Sequence, residues 1–158
     1  MIIFGMLCTT NHLIAQCDIQ NKIYADGTMY YYVTPVVFYQ SGEKKLQGSV
    51  VTDNENYFII LAPQPFPEKS KAMKLKDKIQ LTLSNHQSYQ LEFYDVSYDS
   101  LLKLFYKINK DKIEDMLKYD AEEIVINMGK EEGERIYKFQ LHKGAIREEL
   151  NCLLNRNH

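Results

Sequence analysis

The chain has 158 residues, a formal net charge of -2 and a pI near 6.1. That length suits one domain and supports a core without a metal, and the acidic balance argues against a nucleic-acid partner. With 45% hydrophobic and 25% charged residues the chain is globular, and twelve Tyr with no Trp bias it toward strands.

Residues 2–8, IIFGMLC, form an apolar run at the lower limit of a signal-peptide hydrophobic region. It is far too short to cross a bilayer, and no later run is long enough either, so no transmembrane segment is expected. Polar residues 9–12 follow, then Leu13-Ile14-Ala15-Gln16, where the small Ala15 suits signal peptidase. Residues 1–15 are therefore expected to be a signal-peptide remnant cleaved after Ala15, with residues 16–158 a single domain. The basic stretch that opens a signal peptide is missing, since the first Lys is Lys22; a start further upstream would supply it. Two other readings compete. Residues 2–7 suit a buried first strand. Ile14-Ala15-Gln16-Cys17 is similar to a lipobox in which Cys17 carries lipid, although Gln16 is bulky for the position before that cysteine.

Strand signals dominate the next two-thirds. Residues 28–39, TMYYYVTPVVFY, are β-branched and aromatic, and Pro35 splits them into a bent strand or two short ones. Residues 46–51 and 57–62 flank TDNEN and predict a hairpin. Pro63, Pro65 and Pro67 predict an extended loop. Residues 78–83 and 89–96 alternate around SNHQS and predict a second hairpin, with Ile79, Leu81, Leu83, Tyr89, Leu91 and Phe93 facing inward.

The period then changes. Residues 101–108 predict a strand, Asn109 caps a helix carrying Ile113, Met116 and Leu117, and residues 123–128 and 135–141 form a hairpin across GKEEGE. Gly144 precedes a last helix with Ile146, Leu150, Leu153 and Leu154 on one stripe. The expected fold is α+β: an antiparallel sheet built from hairpins, then helix-strand-strand-helix, with helices covering part of one sheet face.

Chemistry-bearing motifs are absent. His12, His86, His142 and His158 are scattered without metal-ligand spacing, and there is no Cys-x-x-Cys, no Gly-x-Ser-x-Gly and no phosphate-binding Gly loop. Catalytic residues, metals and cofactors are expected to be none. Asp95 and Asp99 suit local turn bonds. Lys69, Lys71, Lys74, Lys76 and Lys78 form a basic run that suits a solvent face, a Lys-blunted edge strand or an anionic surface. Tyr30 and Tyr32 share one strand face, with Met29, Tyr31 and Val33 on the other, which is the better core face. Tyr30 and Tyr32, together with Tyr39, are candidates for an exposed aromatic platform that binds a protein, peptide or glycan; cross-strand structural Tyr is the alternative. Removing residues 1–15 takes Cys8 away and leaves Cys17 and Cys152. An even pair at the two ends of an exported domain makes a disulfide the expectation.

The pattern LIAQC, DKIQLTLSNHQSYQLEFYDV, KIEDMLKYDAEEIVI and LNCLL resembles small exported proteins of Bacteroidetes that have no assigned activity. The resemblance spans most of residues 16–155 and implies export and fold alone. The expected function is a non-catalytic binding or interaction module of the cell envelope, periplasmic, cell-surface or secreted. The alternatives are a small envelope hydrolase or an accessory subunit of an envelope complex.

Overall fold

A computed structural model describes residues 17–156. The expected cleavage after Ala15 lies outside the described residues, as do His12 and His158. The elements are β1 (Ile19–Ile23), β2 (Met29–Val33), β3 (Val36–Ser41), β4 (Lys44–Thr52), β5 (Tyr57–Gln64), α1 (Lys69–Ala72), β6 (Ile79–Leu83), β7 (Ser88–Tyr98), β8 (Leu102–Ile108), α2 (Lys110–Lys118), β9 (Ala121–Asn127), β10 (Glu134–Lys138) and α3 (Ala145–Leu154). The chain is α+β, with one antiparallel sheet in the order β1-β2-β4-β5-β8-β7-β6-β9-β10 and β3 also on β4. The sheet curls until its ends meet. The Phe38 carbonyl of β3 accepts from the Gln140 and Leu141 N–H groups at 3.0 and 3.1 Å, and the Phe38 and Phe139 rings stack at 4.5 Å.

Strand periodicity makes the core. Leu46, Val50, Ile59, Leu61, Ile79, Leu81, Leu83, Leu91, Leu104 and Tyr106 point inward and join Met116, Ile146, Leu150 and Leu153 in one buried cluster. Gly48 is required by space. A Cβ there would lie 2.4 Å from the Ile60 carbonyl oxygen and 2.9 Å from the Phe38 ring, so β4 and β5 approach more closely than any side chain allows.

Two expectations are corrected. Pro63 lies inside β5, opposite Leu46, rather than in a loop. The β8 pairing ends at Leu61, so the other side of β5 is unpaired at Pro63 and a missing N–H is tolerated there. The basic run forms no edge strand. It spans the short α1 and the turn after it, and Lys71 and Lys78 pair with Glu131 and Glu92 at 2.6 and 2.7 Å.

The Cys17–Cys152 disulfide is present, with Cα atoms 5.8 Å apart across a sequence separation of 135. It fastens the segment entering β1 to α3. A sulfur bonded to Cys152 is not free to form a lipid thioether, so lipidation of Cys17 and this bridge exclude each other.

Two predictions test the packing of α3. Leu150 is fully buried, so Leu150→Ala should cost about 2–5 kcal/mol, whereas the exposed Glu148→Ala should stay within about 0.5 kcal/mol. Equal shifts in urea midpoint would mean that α3 is misplaced. Reducing the disulfide should lower stability by roughly 3–5 kcal/mol, because it frees a loop of nearly the whole chain. A urea midpoint indifferent to dithiothreitol would count against the bridge.

Candidate functional site: an aromatic groove on the outer sheet face

The outer face begins with cross-strand pairs. Gln20 lies opposite Tyr32 and Lys22 opposite Tyr30, so all four side chains share one face of the β1–β2 ribbon. Tyr32 is in turn opposite Val51 of β4, and Val51 opposite Phe58 of β5. One register further along, Ser49 lies opposite Ile60, and Ile60 opposite Phe105 of β8. The outer face thus carries an apolar and aromatic row where a solvated sheet would carry polar residues. A bulge in β7 between Phe93 and Asp95 turns Tyr94 onto this face, where its ring lies 4.5 Å from Phe58. Tyr24 and Tyr30 meet edge to face at 4.9 Å, and Tyr30 lies 6.1 Å from Phe58.

These rows enclose a groove of about 350 Å³. Its floor is Ser49, Val51 and Ile60. One wall is Gln20, Lys22, Tyr24, Tyr30 and Tyr32, continued by Thr34 and Pro35. The opposite wall is Leu101 and Lys103. A shallower recess over Gln47, Gly48 and Ala62 shares Pro35, Ser49, Ile60, Leu101 and Lys103 with it, so the depression continues along β4 and β5. Burial raises the Tyr24 and Tyr30 phenols above their ordinary range. Tyr32, Asp99 and Asp95 add to this at Tyr24, and Tyr94 adds at Tyr30. The phenols therefore remain neutral hydroxyls, able to donate as well as accept.

The sequence reading of Tyr30 and Tyr32 is partly corrected. They share a face, and both line the groove. Tyr30, however, is only 7% exposed and forms the centre of a second cluster with Val51 and Phe58, with Tyr24, Tyr32 and Ile60 packed around it. The opposite face is less of a core than expected: Tyr31 packs on the main core, but Met29 is exposed. Tyr39 belongs elsewhere, edge to face with Tyr137 at 5.6 Å. Asp95 and Asp99 accept neighbouring backbone N–H groups, as expected of turn aspartates. His86 and His142 occupy left-handed turn positions at φ 65° and 50°. Among the described residues, no three His, Cys, Asp or Glu side chains gather as metal ligands.

Glu149 went unnoticed in the sequence. It lies on the buried stripe of α3 at 5% exposure, and its Oε2 accepts the Val50 N–H at 2.6 Å. The need for it arises in the sheet. β3 pairs with β4 as far as Gly48, and β2 resumes at Val51, with Thr34 and Pro35 bending between them. Val50 has no strand partner on that side, and a buried N–H without an acceptor is costly. The carboxyl is pushed up to about 8, mainly by burial, with a smaller push from Glu148 and an opposing pull from the Val50 N–H.

No family model, curated protein or solved structure matches this chain. The groove and the buried carboxyl are therefore the features from which function is argued.

Glu149 makes stability pH-dependent. The folded state favours the protonated carboxyl, so the contribution is complete below about pH 4.5 and is lost as pH rises through about 8. Glu149→Gln keeps an acceptor for Val50 without a charge. The wild type should lose stability relative to this variant from about pH 5 to pH 9, by an amount on the order of a few kcal/mol. Parallel stability profiles in urea titrations across that range would contradict the assignment.

Proposed function

We propose that this chain is a small exported binding module of the cell envelope, similar in kind to the Bacteroidetes proteins it resembles, and that it holds its ligand in the outer-face groove. The observation that carries this reading is the composition of the groove: three tyrosines over Val51 and Ile60, with no carboxylate, imidazole or thiol in its lining among the described residues. Such a surface gives contact area and hydrogen bonds but lacks an acid–base pair for hydrolysis. The group shifted closest to neutrality, Glu149, lies beneath the sheet with Val50 bonded to it, where substrate does not reach. Export is supported by the disulfide, since such bonds persist in oxidising compartments. No helix among the described residues is long and apolar enough to cross a membrane.

A fragment screen followed by amide chemical shifts of the oxidised protein tests the reading. Hits should concentrate on Gln20, Tyr32, Val51, Ile60 and Lys103. Hits that cluster elsewhere would move the site. Recovery of the native protein from the cytosol with Cys17 and Cys152 both free would count against export.

A further inference from the structure

We propose that the groove takes a small anionic amphiphile: a carboxylate carried on an aromatic or aliphatic body. The proposal rests on the groove being the binding site and adds the chemical class of its occupant. The apolar requirement comes from Val51, Ile60 and Leu101, which offer a ligand only hydrocarbon, and from the Tyr24 and Tyr32 rings beside them. The anionic requirement comes from charge. Among the described residues, the only charged side chains in the lining are two lysines, placed on opposite walls: Lys22 on β1 and Lys103 on β8.

Neither ammonium is held in a salt bridge. Within the described residues no carboxylate lies within 4 Å of either one. Lys22 Nζ instead sits 5.4 Å from the centre of the Tyr24 ring, which holds it at the aromatic wall. Asp95 and Asp99 act on Tyr24, Asp53 and Asp26 act on Tyr30, and Lys103 in turn lowers the Asp99 carboxyl, but none of these four aspartates lines the groove. Asp95 accepts the Val96 N–H at 2.8 Å, and Asp99 accepts those of Ser100 and Leu101 at 2.6 and 3.1 Å. Among the described residues, the lining therefore combines the hydrocarbon of Val51, Ile60 and Leu101 with a lysine on each of two walls and no carboxylate. A cation would find no carboxylate in the lining to pair with, and a neutral body would leave both lysines unused. The volume of about 350 Å³ lies in the range of small-molecule sites and is too small to seat a protein domain.

The test uses the oxidised full chain and three probes: 2-naphthoate, octanoate and the neutral 2-naphthylmethanol. Binding is read by titration calorimetry and by the amide shifts of Val51, Ile60 and Lys103. 2-Naphthoate should bind about five-fold or more tighter than the alcohol, in keeping with two exposed charge pairs, and the advantage should fade with added salt. The double variant Lys22→Gln, Lys103→Gln changes the exposed Lys22 and the half-buried Lys103, and its spectrum should match the wild type outside the groove. In it, acid and alcohol should bind alike. Equal affinities for acid and alcohol in the wild type would overturn the anionic proposal and leave the groove as the site. Groove amides that respond to none of the three probes would overturn both.

Discussion

Two strands compete for one side of β4. β5 pairs along the whole of the other side, while β3 takes the first half of the contested side and β2 the end, with Thr34 and Pro35 between them. Much of the structure depends on that split. Because the two strands cannot continue as one, the β1–β2 ribbon leaves the line of β3 and becomes one wall of the groove. The backbone group left over at Val50 is met by the Glu149 carboxyl of α3, and this docks the helix at a fixed point on the sheet. The Cys17–Cys152 bridge then joins the same ribbon to the same helix three residues further on. The groove wall and the buried carboxyl both sit at the break where Thr34 and Pro35 separate the two strands.

The hairpins were legible because they are local. Alternation at Ile79, Leu81 and Leu83 needs nothing beyond neighbouring residues, and the change of period at Asn109 marks α2 as clearly. Pro63 was misread because its tolerance depends on where β8 stops, which no local pattern reveals. The aromatic pair on β2 was assigned to one face correctly; of the two readings open for it, the exposed platform fails at the buried Tyr30, while Tyr32 is half-buried. The bulge that sends Tyr94 over Phe58, and the outer-face residues of β4, β5 and β8, lie far away in sequence. Glu149 did leave a signal. It sits between Ile146 and Leu153 on the apolar stripe, beside Leu150, where a carboxylate is out of place unless the sheet supplies a donor. That donor is ninety-nine positions away, so the sequence could raise the question without answering it.

The two sheet faces differ in what they bury. The inner face is closed by ring stacking between Phe38 and Phe139 and filled by large aliphatic side chains. The outer face is apolar too, yet the β1–β2 ribbon and Leu101 cover it only from the sides, so a depression remains. A soluble sheet ordinarily places polar side chains outward; here the register puts Tyr30, Val51, Phe58, Ile60 and Phe105 there. The excess of tyrosine over other aromatics suits this half-covered setting, where a ring is buried and its hydroxyl keeps a polar tip.

The bridge between the first strand's approach and the last helix also changes what happens when the chain is cut. A peptide chain fastened near both ends is a ring, and one break in a ring releases no fragment. A protease that opens the exposed turn around Lys130 would leave both pieces covalently joined, with the nine strands before the cut still held to the helix after it. A pull on the two ends is likewise carried by the sulfur–sulfur bond, and the strands between Cys17 and Cys152 bear no load. The two cysteines thus make the fold resistant to a pull on its ends and to a single proteolytic cut.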